Sequence, residues 1–278
     1  MKILVLSDFH LGIPASRSGA MLDDIRRLTR DYDRVILNGD TLDRFEALGC
    51  QPHVSAQLKD IRDACSGCSG PPELIMGNHD PAISTVEWIY LEESATLVFH
   101  GDCVADCTHP TRADEKILAA RLRAHWAAIG GRPTTFLERS AEFRRVQARH
   151  AQEYPFAREP RTALAYLASV LYPPQKPVHI LQYWWRAPRL AARLAATFPK
   201  PVSNVAVAHT HRSGCWQLNG MTVFNTGSFM PLSVPCGLSI DGANVSLRPL
   251  AALLRATRSV AVPLSSAAPT TTADEVKA

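Results

Sequence analysis

The sequence predicts an α/β fold, and three observations carry that prediction. Short apolar runs recur at 1–6, 34–38, 73–76, 96–99 and 204–208. Between several of them lie stretches whose apolar residues repeat with helical spacing. Each run exits into a short polar cluster: Asp8-x-His10, Gly39-Asp40-x-x-Asp43, Gly77-Asn78-His79-Asp80, His100-Gly101-Asp102 and His209-x-His211. Open α/β sheets bind ligands at the carboxyl ends of their strands, where these clusters fall.

The elements follow in order. Residues 1–6 read as the first strand. The span 21–32 sets Met21, Leu22, Ile25 and Leu28 on one helical face, and 34–38 forms the next strand of a βαβ-like unit. Val54, Leu58 and Ile61 mark a helix over 54–64, which breaks at a loop of Ser, Gly, Cys and Pro over 66–72. Strands follow at 73–76 and 96–99. From about 111 to 200 the chain reads as helical. Ile117, Leu118, Leu122, Trp126 and Ile129 form one helix, closed by Gly130-Gly131-Arg132-Pro133. Leu164, Leu167 and Leu171 form another, stopped by Pro173-Pro174. In 180–198, Leu190, Leu194 and Phe198 oppose Arg186, Arg189 and Arg193. Strand 204–208 resumes the sheet. Asn219-Gly220 between two apolar arms signals a hairpin, and 237–247 offers a second antiparallel pair. The end, 256–278, is rich in Ser, Thr, Ala and Pro and is expected to be disordered.

The bulk numbers bound the class. With 278 residues, 46% hydrophobic and 20% charged, the chain can bury a large core in one globular domain over 1–255. No apolar run is long enough to span a membrane. The first residues become polar too soon for a signal peptide, so a cytoplasmic protein is expected. Seven cysteines without an export signal argue against a disulfide framework, and Cys65-x-x-Cys68 has no second pair to complete a zinc ribbon. The net charge of +4 conceals a contrast. Residues 112–200 hold 16 Lys/Arg against 6 Asp/Glu, and the rest holds 14 against 20. An acidic body carries a basic insert.

The five clusters offer carboxylate oxygens, one amide oxygen and imidazole nitrogens, with no thiolate. That donor set suits Mn²⁺, Fe²⁺ or Zn²⁺. A carboxylate has two oxygens, so one Asp can bridge two cations, and two ions about 3.5–4 Å apart can clamp a phosphate. Residues i and i+2 of a strand face one side, which offers a reason for the spacing of Asp8-x-His10 and His209-x-His211. One Asp or His at a strand end is more often a turn residue. Five clusters in this order are not.

The pattern D-x-H, G-D-x-x-D, G-N-H-D, H, H-x-H resembles the calcineurin-like metallophosphoesterase superfamily. The resemblance implies an αββα sandwich of two mixed sheets flanked by helices, and phosphoester or pyrophosphate hydrolysis with two divalent ions, Mn²⁺ first among them. It also implies roles. Asp8, His10, Asp40 and His211 would bind one ion; Asp40, Asn78, His100 and His209 would bind the other. His79 would contact the phosphate and protonate the leaving oxygen, with Asp80 orienting its imidazole. Asp43 would brace the turn. The family usually has Gly where this chain has Ala208.

The helical insert resembles the lid of UDP-2,3-diacylglucosamine pyrophosphatases within that superfamily, which share His-Gly-Asp before a helical insert but commonly carry Arg at the position of His79. This resemblance implies a nucleotide- or lipid-linked diphosphate as substrate and contact with an anionic membrane, at the inner face, through basic and Trp-bearing helices. A general phosphodiesterase or phosphatase acting on nucleotides or phosphoproteins is the alternative, and a non-catalytic scaffold the third reading. Sparse aromatics along the insert argue against nucleic acid.

Overall fold

A computed structural model of the chain describes residues 1–43, 52–67, 69–107, 113–153 and 162–260. Two five-stranded mixed sheets face each other. The first contains β1 (Lys2–Leu6), β2 (Arg34–Asn38), β3 (Glu73–Ile75), β9 (Cys236–Asp241) and β10 (Asn244–Pro249), in the order β10-β9-β1-β2-β3. The second contains β4 (Trp88–Leu91), β5 (Thr96–Phe99), β6 (Asn204–Val207), β7 (Gly214–Leu218) and β8 (Met221–Asn225), in the order β4-β5-β6-β8-β7. The central strands are parallel, with Leu4 opposite Val35 and Leu97 opposite Val205. They are covered on both faces, which is why they read as unbroken apolar runs.

Ile3, Val5, Ile36, Val98, Ala206 and Phe224 fill the space between the sheets. Helices α1 (Leu22–Thr29), α2 (Pro52–Ala64) and α7 (Leu250–Val260) cover the first sheet, burying Ile25, Leu28, Ile61, Leu250 and Leu253. Helices α3 (Ala113–Ala128), α4 (Phe136–Glu153) and α6 (Lys176–Ala195) cover the second. Leu122, Trp126, Phe136, Phe143 and Ala192 pack there against Phe99, Val205 and Val223. The expected αββα sandwich is the fold. Most of the basic insert is therefore its outer layer, while α5 (Ala163–Leu171), with no fully buried residue, lies over the strand ends.

Several elements differ from the sequence reading. Strand β4 and helix α4 were not marked individually, and β3 stops at Ile75 because the Met76 N–H donates to the Val86 carbonyl. Residues 256–260 continue α7, whose Leu253 and Leu254 are buried, so the expected tail starts too early. Residues 261–278 and Cys68 lie outside the described residues. Pro188 sits inside α6. It has no N–H to give to the Trp184 carbonyl, which instead accepts from Arg212 Nη1 at 3.3 Å. The hairpin is as read: Asn219 (φ 53°) and Gly220 (φ 77°) make the paired left-handed turn between Leu218 and Met221.

One buried polar side chain ties the sheets together beneath the strand exits. Asn38 Nδ2, at the end of β2, donates to the carbonyls of Phe99 on β5 (3.0 Å) and Ala206 on β6 (3.4 Å). Asn38→Leu removes both donations, and the urea midpoint is expected to fall by the equivalent of about 1–3 kcal/mol. An unchanged midpoint would show that the apolar interface holds the sheets unaided.

Candidate metal centre

Every sequence-predicted site residue sits just beyond the carboxyl end of a parallel strand or in the loop it feeds. Asp8 and His10 follow β1, Asp40 follows β2, Asn78, His79 and Asp80 follow β3, His100 follows β5, and His209 and His211 follow β6. Five of them have left-handed backbone: Asp8 (φ 47°), His10 (45°), Asp40 (49°), His209 (65°) and His211 (58°). Non-glycine residues rarely adopt this conformation, and where they do it concentrates at functional sites. It also corrects the spacing argument. The Asp-x-His and His-x-His pairs lie outside the strands, so strand alternation does not align them; successive backbone reversals do. These are fixed between loops, as Asp8 N–H donates to the Gly39 carbonyl (3.1 Å) and His10 N–H to the Asp40 carbonyl (2.9 Å).

The side chains converge in two groups that share Asp40. In one, donor atoms of Asp8, His10, Asp40 and His211 lie within 4.8 Å of one another, and His10 Nε2 is 3.0 Å from His211 Nε2. In the other, Asp40, His100 and His209 do the same. Asn78 Oδ1 completes it, 3.0 Å from His100 Nε2 and 2.8 Å from His209 Nδ1. The backbone approaches closely here. A Cβ on Gly39 would collide with the His100 imidazole, and one on Gly77 with the Asp40 backbone and carboxylate. Ala208 is buried but not left-handed, so its methyl group is accommodated where the family usually has Gly.

The expected role of Asp80 is corrected. Its buried carboxylate accepts four backbone N–H groups, from Gly77 (2.8 Å) and Asp40 (3.1 Å) on Oδ1 and from Thr41 (2.7 Å) and Leu42 (3.1 Å) on Oδ2. It holds the loops. Asp43 makes the imidazole contact instead, with Oδ1 2.8 Å from His79 Nδ1. A carboxylate can only accept, so this pairing fixes the proton on Nδ1. The role that the resemblance implied for Asp80 falls to Asp43, because the Asp80 carboxylate is taken up by backbone amides. His100 is fixed similarly, Nδ1 lying 3.0 Å from the Asn38 carbonyl.

The model of the calcineurin-like phosphoesterases matches residues 1–213. The chain belongs to that family. It is thereby a metal-dependent hydrolase acting on phosphoester bonds. No curated protein sequence matches it. Solved structures similar to this phosphoesterase include the YfcE phosphoesterase of E. coli, at 13% identity over 90% of this chain and 93% of that one (TM-score 0.40). A predicted phosphoesterase of Streptococcus pneumoniae is 15% identical over 90% of each chain (TM-score 0.34). A Vps29 mutant of Entamoeba histolytica is 13% identical over 89% and 97% (TM-score 0.37).

The residues of this phosphoesterase fit a pair of cations on their own evidence. Two buried carboxylates, four imidazoles and an amide oxygen point at one another, with imidazole nitrogens facing each other across 3.0 Å. A convergence of carboxylate, imidazole and amide donors of this kind suits a shared cation. The electrostatics agree. Burial pushes the Asp8 carboxyl up to about 6, with the Asp40 charge adding to it. For Asp40 burial acts the same way, but His100, His79 and His10 outweigh it and hold the carboxyl well below the usual range. Burial lowers His100, yet Asp40 overrides it and raises the imidazole to about 10. His211 is held well below its ordinary value by burial and by His10, which keeps it in the neutral form that ligates. Burial also raises Asp43, and the flanking His10 and His79 more than offset it, leaving it ionised.

Two outcomes follow from this geometry. Asp40→Asn should abolish uptake of both ions in an equilibrium titration of the apoprotein with Mn²⁺, whereas Asp43→Asn should retain both. Loading at His100 must also displace its proton. Because the folded pKa is about 10, that proton is present throughout neutral pH, and Mn²⁺ affinity should rise about tenfold per unit from pH 6.5 to 8.5. Below about 6 the protonation of Asp8 should steepen the slope. A flat profile would contradict this charge distribution.

Proposed function

We propose that this phosphoesterase cleaves a phosphoester or pyrophosphate bond in a substrate that carries a large apolar group, such as a nucleotide- or lipid-linked diphosphate of the UDP-diacylglucosamine type. The observation that carries the proposal is the make-up of the cavity above the metal centre. Its volume is about 190 Å³. Its floor is His10, Asp40, Asn78, His79, His209 and His211, and its walls are Tyr166, Val170, Ile180 and Trp184 from α5 and α6 with Met230 and Leu232 opposite. Among the described residues, Lys176 and Glu115 are the only other charged lining residues. A phosphoryl group suits the floor, and acyl or ring carbon suits the walls.

Asp8, His10, Asp40 and His211 would hold one ion, and Asp40, Asn78, His100 and His209 the other, with Mn²⁺ the proposed metal and Fe²⁺ or Zn²⁺ compatible with the same donors. When bound, the ions supply positive charge to the phosphoryl oxygens and acidify water. The chain's own part is proton handling and placement. Asp43 accepts from His79 Nδ1 and orients the ring, so that the imidazolium form can pass its Nε2 proton to the departing oxygen and return to the neutral Nδ1–H tautomer. Hydrolysis of bis-p-nitrophenyl phosphate with Mn²⁺ should fall about 10²–10⁴-fold in His79→Ala. Equal background rates for wild type, His79→Ala and Asp40→Asn would sink the catalytic assignment. With UDP-diacylglucosamine in a substrate panel, release of UMP is the expected result.

The surface around the cavity supports peripheral contact with an anionic membrane, at the cytoplasmic face. Leu171, Tyr172, Val178, Leu181, Trp185 and Leu232 are exposed beside Lys176, Arg186 and Arg189. Residues 160–240 contain no Asp or Glu. Apolar side chains interspersed with cations suit a phospholipid interface. No helix among the described residues is long and apolar enough to cross a membrane. Flotation should retain the protein on phosphatidylglycerol vesicles and lose it with Leu181→Asp/Trp185→Asp. Equal flotation of both proteins would remove this surface from the account.

A further inference from the structure

Asn78 and His100 serve only the second group of ligands, and the loops carrying both are held by one buried guanidinium from the insert. Arg144 projects from α4. Its Nη1 donates to Asp102 Oδ2 at 2.7 Å and its Nη2 to Asp102 Oδ1 at 3.0 Å, a bidentate pair. Nη2 also donates to the Met76 carbonyl at 3.2 Å, and Nη1 reaches the Gly77 carbonyl at 3.5 Å. One turn along the helix, Gln147 Nε2 donates to Asp102 Oδ2 at 3.1 Å, and its Oε1 accepts from Arg144 Nη1 at 2.6 Å.

The placement of these contacts matters more than their number. Met76 and Gly77 immediately precede Asn78, and Asp102 lies two residues beyond His100. Asn78 Oδ1 and His100 Nε2 are 3.0 Å apart, so a small shift of either loop separates two donors meant for one ion. The other group has its own supports. Ser7 Oγ donates to Asp8 Oδ2 (2.6 Å), His209 N–H to Asp8 Oδ1 (3.2 Å), and Ser233 Oγ to the His211 carbonyl (2.5 Å). None of these donors comes from α4; the insert's contact on this side is from α6, where Trp184 Nε1 donates to the Thr210 carbonyl (2.7 Å) between a ligand of each group.

We propose that Arg144 is a positioning residue for the second ion alone, so that α4 sets the affinity of one metal site and leaves that of the other unchanged. This rests on the two-ion reading of the centre. The rival account is a bolt that merely fastens α4 to the sheet. A neighbouring pair is of that kind: Arg139 donates to the Cys103 carbonyl (2.9 Å) and pairs with Asp106, and it hydrogen-bonds neither Asp102 nor the backbone before Asn78.

Stepwise Mn²⁺ titration of the full-length apoprotein, by calorimetry and by electron paramagnetic resonance, separates these accounts. Removing Arg144 alone would strand a buried carboxylate, so the main variant is Asp102→Asn/Arg144→Met, which withdraws both charges together. Wild type should show two binding events and the spectrum of a spin-coupled Mn²⁺ pair. In the double variant one event should stay unchanged and the other weaken about 10–100-fold. The spectrum should revert to that of isolated Mn²⁺ at one equivalent per chain. Arg144→Lys, which keeps the charge but not the fork, should be intermediate, and Asp106→Asn should match wild type. Equal weakening of both events, or no weakening in folded variants, overturns the proposal. A wild type that takes up a single ion overturns the two-ion reading itself.

Discussion

The metal centre depends on one buried anion that need not touch a metal. Asp80 lies at zero exposure between the loops after β2 and β3, and four backbone N–H groups from both loops close on its two oxygens. Burial and the neighbouring Asp40 push the carboxyl up to about 6, and the backbone donors favour the ionised form. The bonds also fix position. Two of the donors belong to Asp40 and Gly77, so the carboxylate sets the distance between the shared ligand and the Asn78 turn. The second sheet is locked to this knot through Asn38, whose carbonyl accepts from His100 and whose amide reaches β5 and β6.

The insert divides into two physically different parts. Helices α3 and α4 bury large side chains on the second sheet, the C-terminal half of α6 packs there closely through Ala191, Ala192 and Ala195, and together they complete the sandwich. Helix α5 and the N-terminal half of α6 bury little, expose long apolar side chains and roof the cavity. The roof is nonetheless pinned at one point. Trp184 Nε1 donates to the Thr210 carbonyl at 2.7 Å, between His209 and His211, while the carbonyl released by Pro188 takes Arg212. Substrate walls and metal ligands thus share backbone.

Much of this was legible in the sequence because buried parallel strands are unbroken apolar runs. Arg34–Asn38 and Thr96–Phe99 were read to the residue, and all seven proposed ligands meet where their strands end. What was not legible required knowledge of direction. Asp80 follows His79 in the chain, yet its side chain points at backbone amides, and the imidazole's partner is Asp43, 36 residues earlier. Strand β4, Trp88–Leu91, is itself a short apolar run, and only its place at the edge of the second sheet, paired with β5, needed the structure. Helix α4 carries its buried surface on Phe136, Phe143 and Val146 among many charges, and nothing in the sequence sets Arg144 apart from the other cations there. Its burial follows from a carboxylate 42 residues away.

The left-handed backbone at five ligand positions has a bearing on which metals this scaffold could ever acquire. Among residues with a side chain, Asn, Asp and His tolerate that conformation most readily, while β-branched and bulky residues are excluded. Those three also carry hard or borderline oxygen and nitrogen donors. The main chain therefore screens its own ligands before any ion is present. Substitution can drift among carboxylate, amide and imidazole at little conformational cost, whereas a thiolate-rich site would need the turns themselves to be rebuilt.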